Sequence, residues 1–328
     1  MLNSGSVDDA FRNKRVLVTG GTGSFGASIL HRLLKAPVQE VRVFSRDEQK
    51  HVALRRRCDD RRVQSLVGDV REPARVAQAV RGVHIVFHAA ALKHVHFTEM
   101  HPYEAVRTNV EGAQNVIRAC QDAGVESLIA ISSDKAVQPV NVMGMTKALQ
   151  ERLVSAASGV AGLRTACVRY GNVLASNGSV VPYFHELLQQ GKRVLPVTEQ
   201  RMTRFMLTLD EGVNLALYAA QAAMDGEIFV ADLPAFRIHD LAEVLLEAYG
   251  GGEVSLAGIR PGEKLHEALI SNEEMRRTER RDGYFVIHRH LREDSQYSAV
   301  DGEFTSADTR LMNRDELRKL LRQEGFLR

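Results

Sequence analysis

At 328 residues, 44% hydrophobic and 26% charged, the chain has the balance of an ordinary globular protein and is long enough for one large α/β domain with a smaller companion. Its 43 Lys and Arg are spread along the chain against 41 Asp and Glu, for a net charge of +2, so no gathered basic footprint points to nucleic acid. Cys58, Cys120 and Cys167 stand in no paired spacing, no apolar run approaches the ~18 residues of a membrane span, and Met1 to Asn13 is polar, so disulfide frameworks, structural zinc and membrane partners are excluded and a reducing, cytoplasmic location is expected.

The first strand, Lys14 to Val18, runs into Gly20-Gly21-Thr22-Gly23-Ser24-Phe25-Gly26 ahead of a helical stretch from Ala27 to Leu34. Gly21, Gly23 and Gly26 satisfy G-x-G-x-x-G, while Gly20, Gly23 and Gly26 satisfy G-x-x-G-x-x-G. Such a loop makes a tight turn, lets backbone amides approach a pyrophosphate and aims a helix N-terminus at that charge. Between a strand and a helix it predicts a dinucleotide site on a Rossmann-type, doubly wound parallel sheet, with Gly20, Gly23, Ser24, Phe25 and Gly26 at the cofactor. Folds that prefer NAD end their second strand in a carboxylate for the ribose 2′-hydroxyl. Here Val41 to Phe44 ends in Ser45-Arg46-Asp47, with Lys50 one turn into the next helix. A hydroxyl, a guanidinium fork and an ammonium suit a 2′-phosphate, so NADP is expected on Ser45, Arg46 and Lys50. Asp47 either orients Arg46 or caps the helix.

A third strand, Val63 to Val67, ends in Gly68-Asp69-Val70, a turn in which Asp69 can cap the helix that follows. The mixed charge run Arg55 to Arg62 before it reads as a solvated face. Val83 to His88 is a fourth strand, and the small Ala89 and Ala91 behind it let the backbone lie flat against a nicotinamide ribose, with Lys93 placed to reach what lies beyond. His94, His96, Glu99 and His101 follow no zinc spacing, so no metal is expected. Tyr103 to Ala123 reads as a long amphipathic helix ended by Gly124, and Glu126 to Ile131 is a fifth strand. That strand delivers Ser133, Asp134 and Lys135; after the turn favoured by Pro139 and Asn141, a helix starts near Val142. Met143 and Lys147, four residues apart, project from one face of it toward the strand end.

This layout resembles the short-chain dehydrogenase/reductase superfamily, whose helix carries Tyr-x-x-x-Lys, with Met143 in the tyrosine place. Proton chemistry then falls to other groups, and Asp134 and Lys135 are the candidates. The resemblance implies that Asp69 and the Val70 amide meet the adenine, beside the plain reading of Asp69 as a cap. It also places Asn109 on the face that meets the catalytic helix and at the cofactor, and Lys147 on the nicotinamide ribose.

A sixth strand, Thr165 to Arg169, precedes Tyr170-Gly171-Asn172-Val173 and Ser176-Asn177-Gly178-Ser179-Val180-Val181-Pro182. Farther on come Arg201-Met202-Thr203-Arg204-Phe205, Thr208-Leu209-Asp210-Glu211-Gly212 and Gly258-Ile259-Arg260-Pro261-Gly262-Glu263-Lys264. Arg204 and Arg260 are fork-shaped donors suited to a diphosphate, Asn172 offers an amide, and the loop Asn177 to Ser179 has amides that can cover a nucleotide. With Ser132 to Lys147 and His88 to Val95, these strings resemble the bacterial nucleotide-sugar dehydratases that act on UDP-N-acetylglucosamine, from roughly Lys14 to Ile270.

The resemblance implies a substrate site on Lys93, Asn172, Asn177, Gly178, Ser179, Val180, Val181, Pro182, Thr198, Arg201, Arg204, Arg260 and Glu263, and puts Val173 at the cofactor. It implies a 4,6-dehydratase of surface polysaccharide biosynthesis: NADP takes hydride from carbon 4, Lys135 takes the carbon 5 proton, Asp134 helps hydroxide leave carbon 6, and hydride returns to carbon 6. Ser133 would hydrogen-bond the sugar near carbon 4. Burial beside Lys147 would lower the pKa of Lys135 and Asp134 would raise it, and the sequence leaves the outcome open. A 4-epimerase, a 5,6-dehydratase and, outside catalysis, an NADP-sensing binding protein are the rival readings. The cofactor domain is expected over 1–170, with about 205–232 returning to it, and the substrate domain over 171–204 and 233–328, with the tail beyond Gly283 serving packing or assembly. A homo-oligomer, dimer or hexamer, is also expected.

Overall fold

The structure is a computed structural model and describes residues 9–174, 178–291 and 302–327. Runs such as Val16-Leu17-Val18 and Leu128-Ile129-Ala130 are apolar at consecutive positions, as strands covered on both faces require. They fall among the strands β1 (Arg15–Thr19), β2 (Glu40–Ser45), β3 (Val63–Val67), β4 (Ile85–His88), β5 (Ser127–Ile131) and β6 (Arg164–Arg169); β3 has the expected bounds and the others differ by one or two residues at an end. All pair in parallel, in the order β3-β2-β1-β4-β5-β6, so the expected Rossmann-type α/β sheet is present. The order reverses between β1 and β4, where Thr19 is in register with His88. The glycine turn and Ala89 therefore meet at the crevice where such sheets bind ligands, and β5 brings Ser133 to Lys135 beside them.

The chain then adds β7 (Asn172–Val173), β8 (Val194–Val197), β9 (Thr203–Leu207), β10 (Glu227–Ala231), β11 (Ala235–Arg237), β12 (Glu253–Leu256), β13 (Ala268–Ile270), β14 (Thr278–Arg281), β15 (Tyr284–Ile287) and β16 (Phe304–Thr305). Strand β10 continues the large sheet parallel to β6, and the antiparallel hairpin β14–β15 closes its edge. That hairpin falls in the stretch expected to belong with the substrate half, yet Phe285, Val286 and Ile287 lie in the core of the large sheet. Two small sheets, β11-β9-β7 and β12-β8, border a second apolar core that includes Val181, Phe184, Leu195, Met206, Phe236 and Leu241, while a third, β13-β16, packs through Leu269, Ile270 and Phe304 on the core of the large sheet. The polar helix Arg314–Gln323 joins the second core through Leu317 and Leu321, the apolar stripe of an otherwise charged sequence.

Two helices set the site. The expected long helix over 103–123 is broken by a π-helical stretch, Val106–Glu111, between Pro102–Ala105 and Gly112–Ala123, and ends at Gly124 with φ +66°. The helix Val142–Ala156 starts where expected, capped by Asn141, whose side chain accepts from the Gly144 amide at 2.8 Å. Among the described residues no helix is long and apolar enough to cross a membrane.

Candidate active site

The glycine turn is dictated by contact. A Cβ on Gly20, whose φ is +66°, would lie 2.7 Å from the Ala90 amide nitrogen, and one on Gly26 would lie 2.4 Å from Gly21 Cα. Only glycine lets the turn sit against the end of β4 and the helix Ser24–Leu33 sit against the turn. Phe25 stacks on Tyr170, with ring centroids 6.2 Å apart, and so joins the turn to the end of β6. At the end of β2 the Ser45 hydroxyl meets Thr22 Oγ1 at 2.8 Å and His51 Nε2 at 3.0 Å; His51 is buried, and nothing in the sequence marked it. Of the two readings of Asp47, the cap is the one seen: it accepts from the Lys50 amide at 3.0 Å and pairs with Lys50 Nζ at 3.4 Å. Arg46 turns instead to Asp69 at 3.6 Å. Arg46 and Lys50 remain 51% and 61% exposed, open to an incoming phosphate.

Asp69 does not cap the next helix. It accepts from the Arg71 amide and guanidinium, at 3.0 and 2.6 Å, and Arg71 reaches on to Glu104 at 2.7 Å. Val70 is buried against Gly112, and its carbonyl accepts from Asn115 at 3.0 Å. Asn109 is fully buried in the π-helical stretch: its oxygen accepts from the Leu92 amide at 2.8 Å and its nitrogen donates to the Leu92 carbonyl and to Thr146 Oγ1, both at 3.0 Å. It thus ties the segment carrying Ala89 and Ala91 to the helix Val142–Ala156, and its polar atoms are occupied by protein rather than held out to a cofactor.

Residues Asp134–Ala136 form a single 3₁₀ turn capped by Ser133. Gly144 lets the helix lie directly on that turn, since a Cβ there would fall 2.2 Å from the Lys135 carbonyl oxygen. Lys135 Nζ donates to Asp134 Oδ1 at 3.0 Å and lies 3.3 Å from Glu267 Oε1. Ser133 Oγ donates to the same Asp134 oxygen at 2.9 Å. Burial alone would lower the Lys135 pKa, but the Asp134 and Glu267 carboxylates outweigh it and hold the pKa above the ordinary value, so the competition left open by the sequence goes to the anions. Lys147, buried, donates to the Ile131 carbonyl and to Gln150 Oε1, both at 2.8 Å, and desolvation pulls its pKa down to about 8. Met143 is buried, and its thioether offers no proton.

The expected substrate residues divide. Arg204 is buried and its fork is occupied: it donates to the carbonyls of Thr203 at 2.7 Å, Leu265 at 3.2 Å and Lys264 at 3.0 Å, with Nε 3.9 Å from Glu267. It therefore anchors the segment before β13 instead of presenting a free diphosphate clamp. Arg201 is 76% exposed beside Glu199 at 3.1 Å, and Thr198 donates to Met202 Sδ. Arg260 is exposed, its amide held by Glu263 at 3.2 Å, in a loop pinned where Asn141 donates to the Gly262 carbonyl at 2.8 Å. Asn172 and Val173 lie half-buried in β7. Gly178, with φ +77°, packs on the His94 ring next to the exposed Lys93. Ser179 stands at the N-cap position of the helix Val180–Gln189 without a side-chain capping bond, and its buried hydroxyl has no hydrogen-bond partner among the described residues; Val181 faces the second core while Val180 and Pro182 are half-buried. Asn177 lies outside the described residues.

Two features went unread in the sequence. Glu267, buried just before β13, faces Lys135; its only local signal was a third charge after Glu263 and Lys264 leading into an apolar run. Beneath the site, Arg169 is buried between Glu151 and Glu274, donating to Glu151 Oε2 at 2.6 Å and to both Glu274 oxygens at 2.9 Å. Glu151 stands four residues beyond Lys147, and that helical spacing was the available clue.

Comparison with known proteins places this geometry. A family model described as polysaccharide biosynthesis protein matches residues 16–289. A protein named UDP-glucose 4-epimerase from Rickettsia akari (strain Hartford) is 42% identical over 329 residues, covering 95% of this chain and 96% of its own length. The X-ray structure of Pen from Bacillus thuringiensis superposes with a TM-score of 0.91 at 35% identity, covering 97% of this chain and 99% of that one. DesIV, a dTDP-glucose 4,6-dehydratase from Streptomyces venezuelae solved with NAD bound, shares the fold at a TM-score of 0.70 and 23% identity, over 76% of this chain and 86% of its own.

Proposed function

From the premise that the chain belongs to the polysaccharide biosynthesis protein family and is an enzyme of the nucleotide-sugar epimerase/dehydratase type, we propose that it is an NADP-dependent UDP-N-acetylglucosamine 4,6-dehydratase. The observation that carries this reading is the Asp134–Lys135 pair, 3.0 Å apart, with Asp134 buried and Lys135 partly open, on the turn that packs against the helix of the buried Met143. An enzyme that only oxidises and reduces carbon 4 needs one acid/base group there. Elimination of water needs two more, a base for carbon 5 and an acid for the oxygen on carbon 6, and an ammonium bonded to a carboxylate contains both.

The cradle fits a dinucleotide, because the side chains missing at Gly20 and Gly26 let the turn and the N-terminus of the helix Ser24–Leu33 lie close against the end of β4, where a helix N-terminus favours an anion. Ser45, Arg46 and Lys50 would hold the 2′-phosphate, Asp69 and Val70 the adenine, and Lys147 the nicotinamide ribose. NADP, when bound, supplies reversible hydride acceptance at the sugar carbon. At carbons 5 and 6 the protein supplies the proton transfers: Lys135 takes the carbon 5 proton and Asp134 protonates the hydroxyl leaving carbon 6, while Ser133 orients the sugar near carbon 4. Met143 shapes the pocket wall.

The cofactor assignment has its own test. Arg46→Asp should weaken NADP far more than NAD in equilibrium binding, by roughly 1.5 to 3 kcal/mol for the lost charged contact, with repulsion in addition. Equal wild-type affinity for the two cofactors would remove the roles given to Ser45, Arg46 and Lys50.

The relative named as a 4-epimerase makes epimerisation the second reading, and isotopes separate the two. Substrate deuterated at carbon 4 should yield product labelled in its new methyl group, and reaction in heavy water should place deuterium at carbon 5. Product mass should fall by one water apart from label, with no accumulation of reduced cofactor. A 4-epimer with its carbon 6 hydroxyl intact and no solvent deuterium at carbon 5 would overturn the dehydratase reading.

A further inference from the structure

Lys135 has one counter-ion more than it needs. A single carboxylate neutralises an ammonium, yet Nζ lies 3.0 Å from Asp134 and 3.3 Å from Glu267, which are 1% and 3% exposed. Asp134 Oδ2 and Glu267 Oε2 are both buried without a hydrogen-bond partner among the described residues. Glu267 is held from behind: its amide donates to Ser306 Oγ at 3.0 Å, its carbonyl accepts from the Ser306 amide at 2.8 Å, and Ser306 Oγ meets Thr203 Oγ1 at 2.7 Å. The other charges facing this group are Arg204, with Nε 3.9 Å from Glu267, and Lys264, with Nζ 4.0 Å from it and donating to the Val137 carbonyl at 2.6 Å. Both cations are also tied to backbone carbonyls, so Glu267 is the carboxylate on which Lys135, Arg204 and Lys264 converge and is a built part of the site.

We propose that Glu267 is a positioning residue for the elimination, holding Nζ of Lys135 through a second carboxylate and serving as its counter-ion while Asp134 carries a proton. This rests on the dehydratase reading. The resting pair, an ammonium and a carboxylate, has the wrong charges for elimination, and one proton moving from Nζ to Asp134 corrects both. The Nζ–H bond breaks and an Asp134 O–H bond forms, leaving a free amine and a neutral acid. The amine then takes the carbon 5 proton, the C5–H electrons form the C5–C6 double bond, and the C6–O electrons leave with an oxygen that takes the Asp134 proton and departs as water. Ammonium and carboxylate are restored with nothing consumed. Through the step Glu267 stays ionised, faces the charge that reappears on Lys135, and keeps Nζ in place when its bond to Asp134 is weakened.

The pair must keep its one proton, so the basic limb of the kcat–pH profile reports its loss from Lys135. Glu267 raises the affinity of Nζ for that proton, and Glu267→Gln should therefore move the basic limb to lower pH by about one unit or more. It should also lower kcat on the order of 10-fold to 100-fold with little change in KM. Glu267→Asp, which restores the charge, should return the limb toward the wild-type position. A merely structural glutamate would lower Tm and cofactor retention in both variants and leave the limb where it was, and that result would overturn the proposal, as would a folded Glu267→Gln enzyme with wild-type kcat. The ¹⁵Nζ resonance of Lys135, assigned by its disappearance in Lys135→Arg, gives the same titration without turnover; an unmoved midpoint in Glu267→Gln would equally overturn the role. A wild-type product of unchanged mass would sink the dehydratase reading and this inference together, whereas a dehydrated product with an unmoved limb would sink only the inference.

Discussion

Lys135→Ala and Asp134→Ala should each lower turnover by at least ~100-fold, the usual contribution of a positioned acid or base, while Met143→Ala should retain most of the wild-type rate. Lys135 lies 3.0 Å from Asp134 and keeps 22% of its side-chain surface open, so the pair is both coupled and reachable. Met143 is buried, and shortening it costs stability by leaving a cavity, about 2 to 5 kcal/mol for a Met→Ala change in a core. Met143→Leu, close in volume, separates that cost from chemistry and should be near wild type in both respects. The measurement is the initial rate of product formation, resolved by mass, at saturating substrate and cofactor. Similar small losses in all the variants would mean that the proton chemistry sits elsewhere.

The second large effect is on stability. Arg169→Ala should destabilise the fold by about 3 to 5 kcal/mol at neutral pH, because it strands the buried carboxylates of Glu151 and Glu274 without their partner. Burial would raise the Glu274 pKa, and the Arg169 guanidinium more than reverses this, holding it at about 2 against an ordinary 4.5. A depressed carboxylate pKa stabilises the fold above the unfolded value and loses that contribution as pH falls toward the folded one. In the wild type this contribution should therefore fade between about 4.5 and about 2. Without the arginine Glu274 protonates more easily, so the deficit of the variant should shrink as pH drops through 4.5. Urea unfolding at pH 7 and pH 4 checks both halves, and a deficit that is small at pH 7 or grows on acidification would contradict the account. Ser132 Oγ donates to the same Glu151 at 2.5 Å, so the network props the end of β5 from below.

Much of the architecture is local and was therefore legible. Strands β1, β4 and β5 announce themselves as short apolar runs, because a strand covered on both faces has no polar side to show, while β3, at the sheet edge, carries the exposed Gln64 and Ser65. The glycine spacing predicts a turn whose contacts, at Gly20 and Gly26, leave no room for a side chain. Met143 and Lys147 share a helix face by periodicity alone, and Asn141 caps that helix as the turn residues before it suggest. Harder to read was the hairpin β14–β15: its apolar residues show one element, but which of two cores they join is set by contacts with β10, far away in the chain.

Spacing within a few tens of residues was enough to set the sheet, the glycine turn, and the arrival of Ser133, Asp134 and Lys135 beside the helix of Met143 and Lys147. What those charges are bonded to came from contacts between distant segments. An arginine in a string shows its fork and not where the fork goes: Arg204, a plausible phosphate clamp on paper, is tied to the carbonyls of Thr203, Lys264 and Leu265, while Arg169 turned out to be the centre of a buried ion network. The protonation of Lys135 was open for the same reason, because burial and charge act on it in opposite directions and the anion that helps tip the balance, Glu267, comes from a segment near β13 that only folding brings within 3.3 Å.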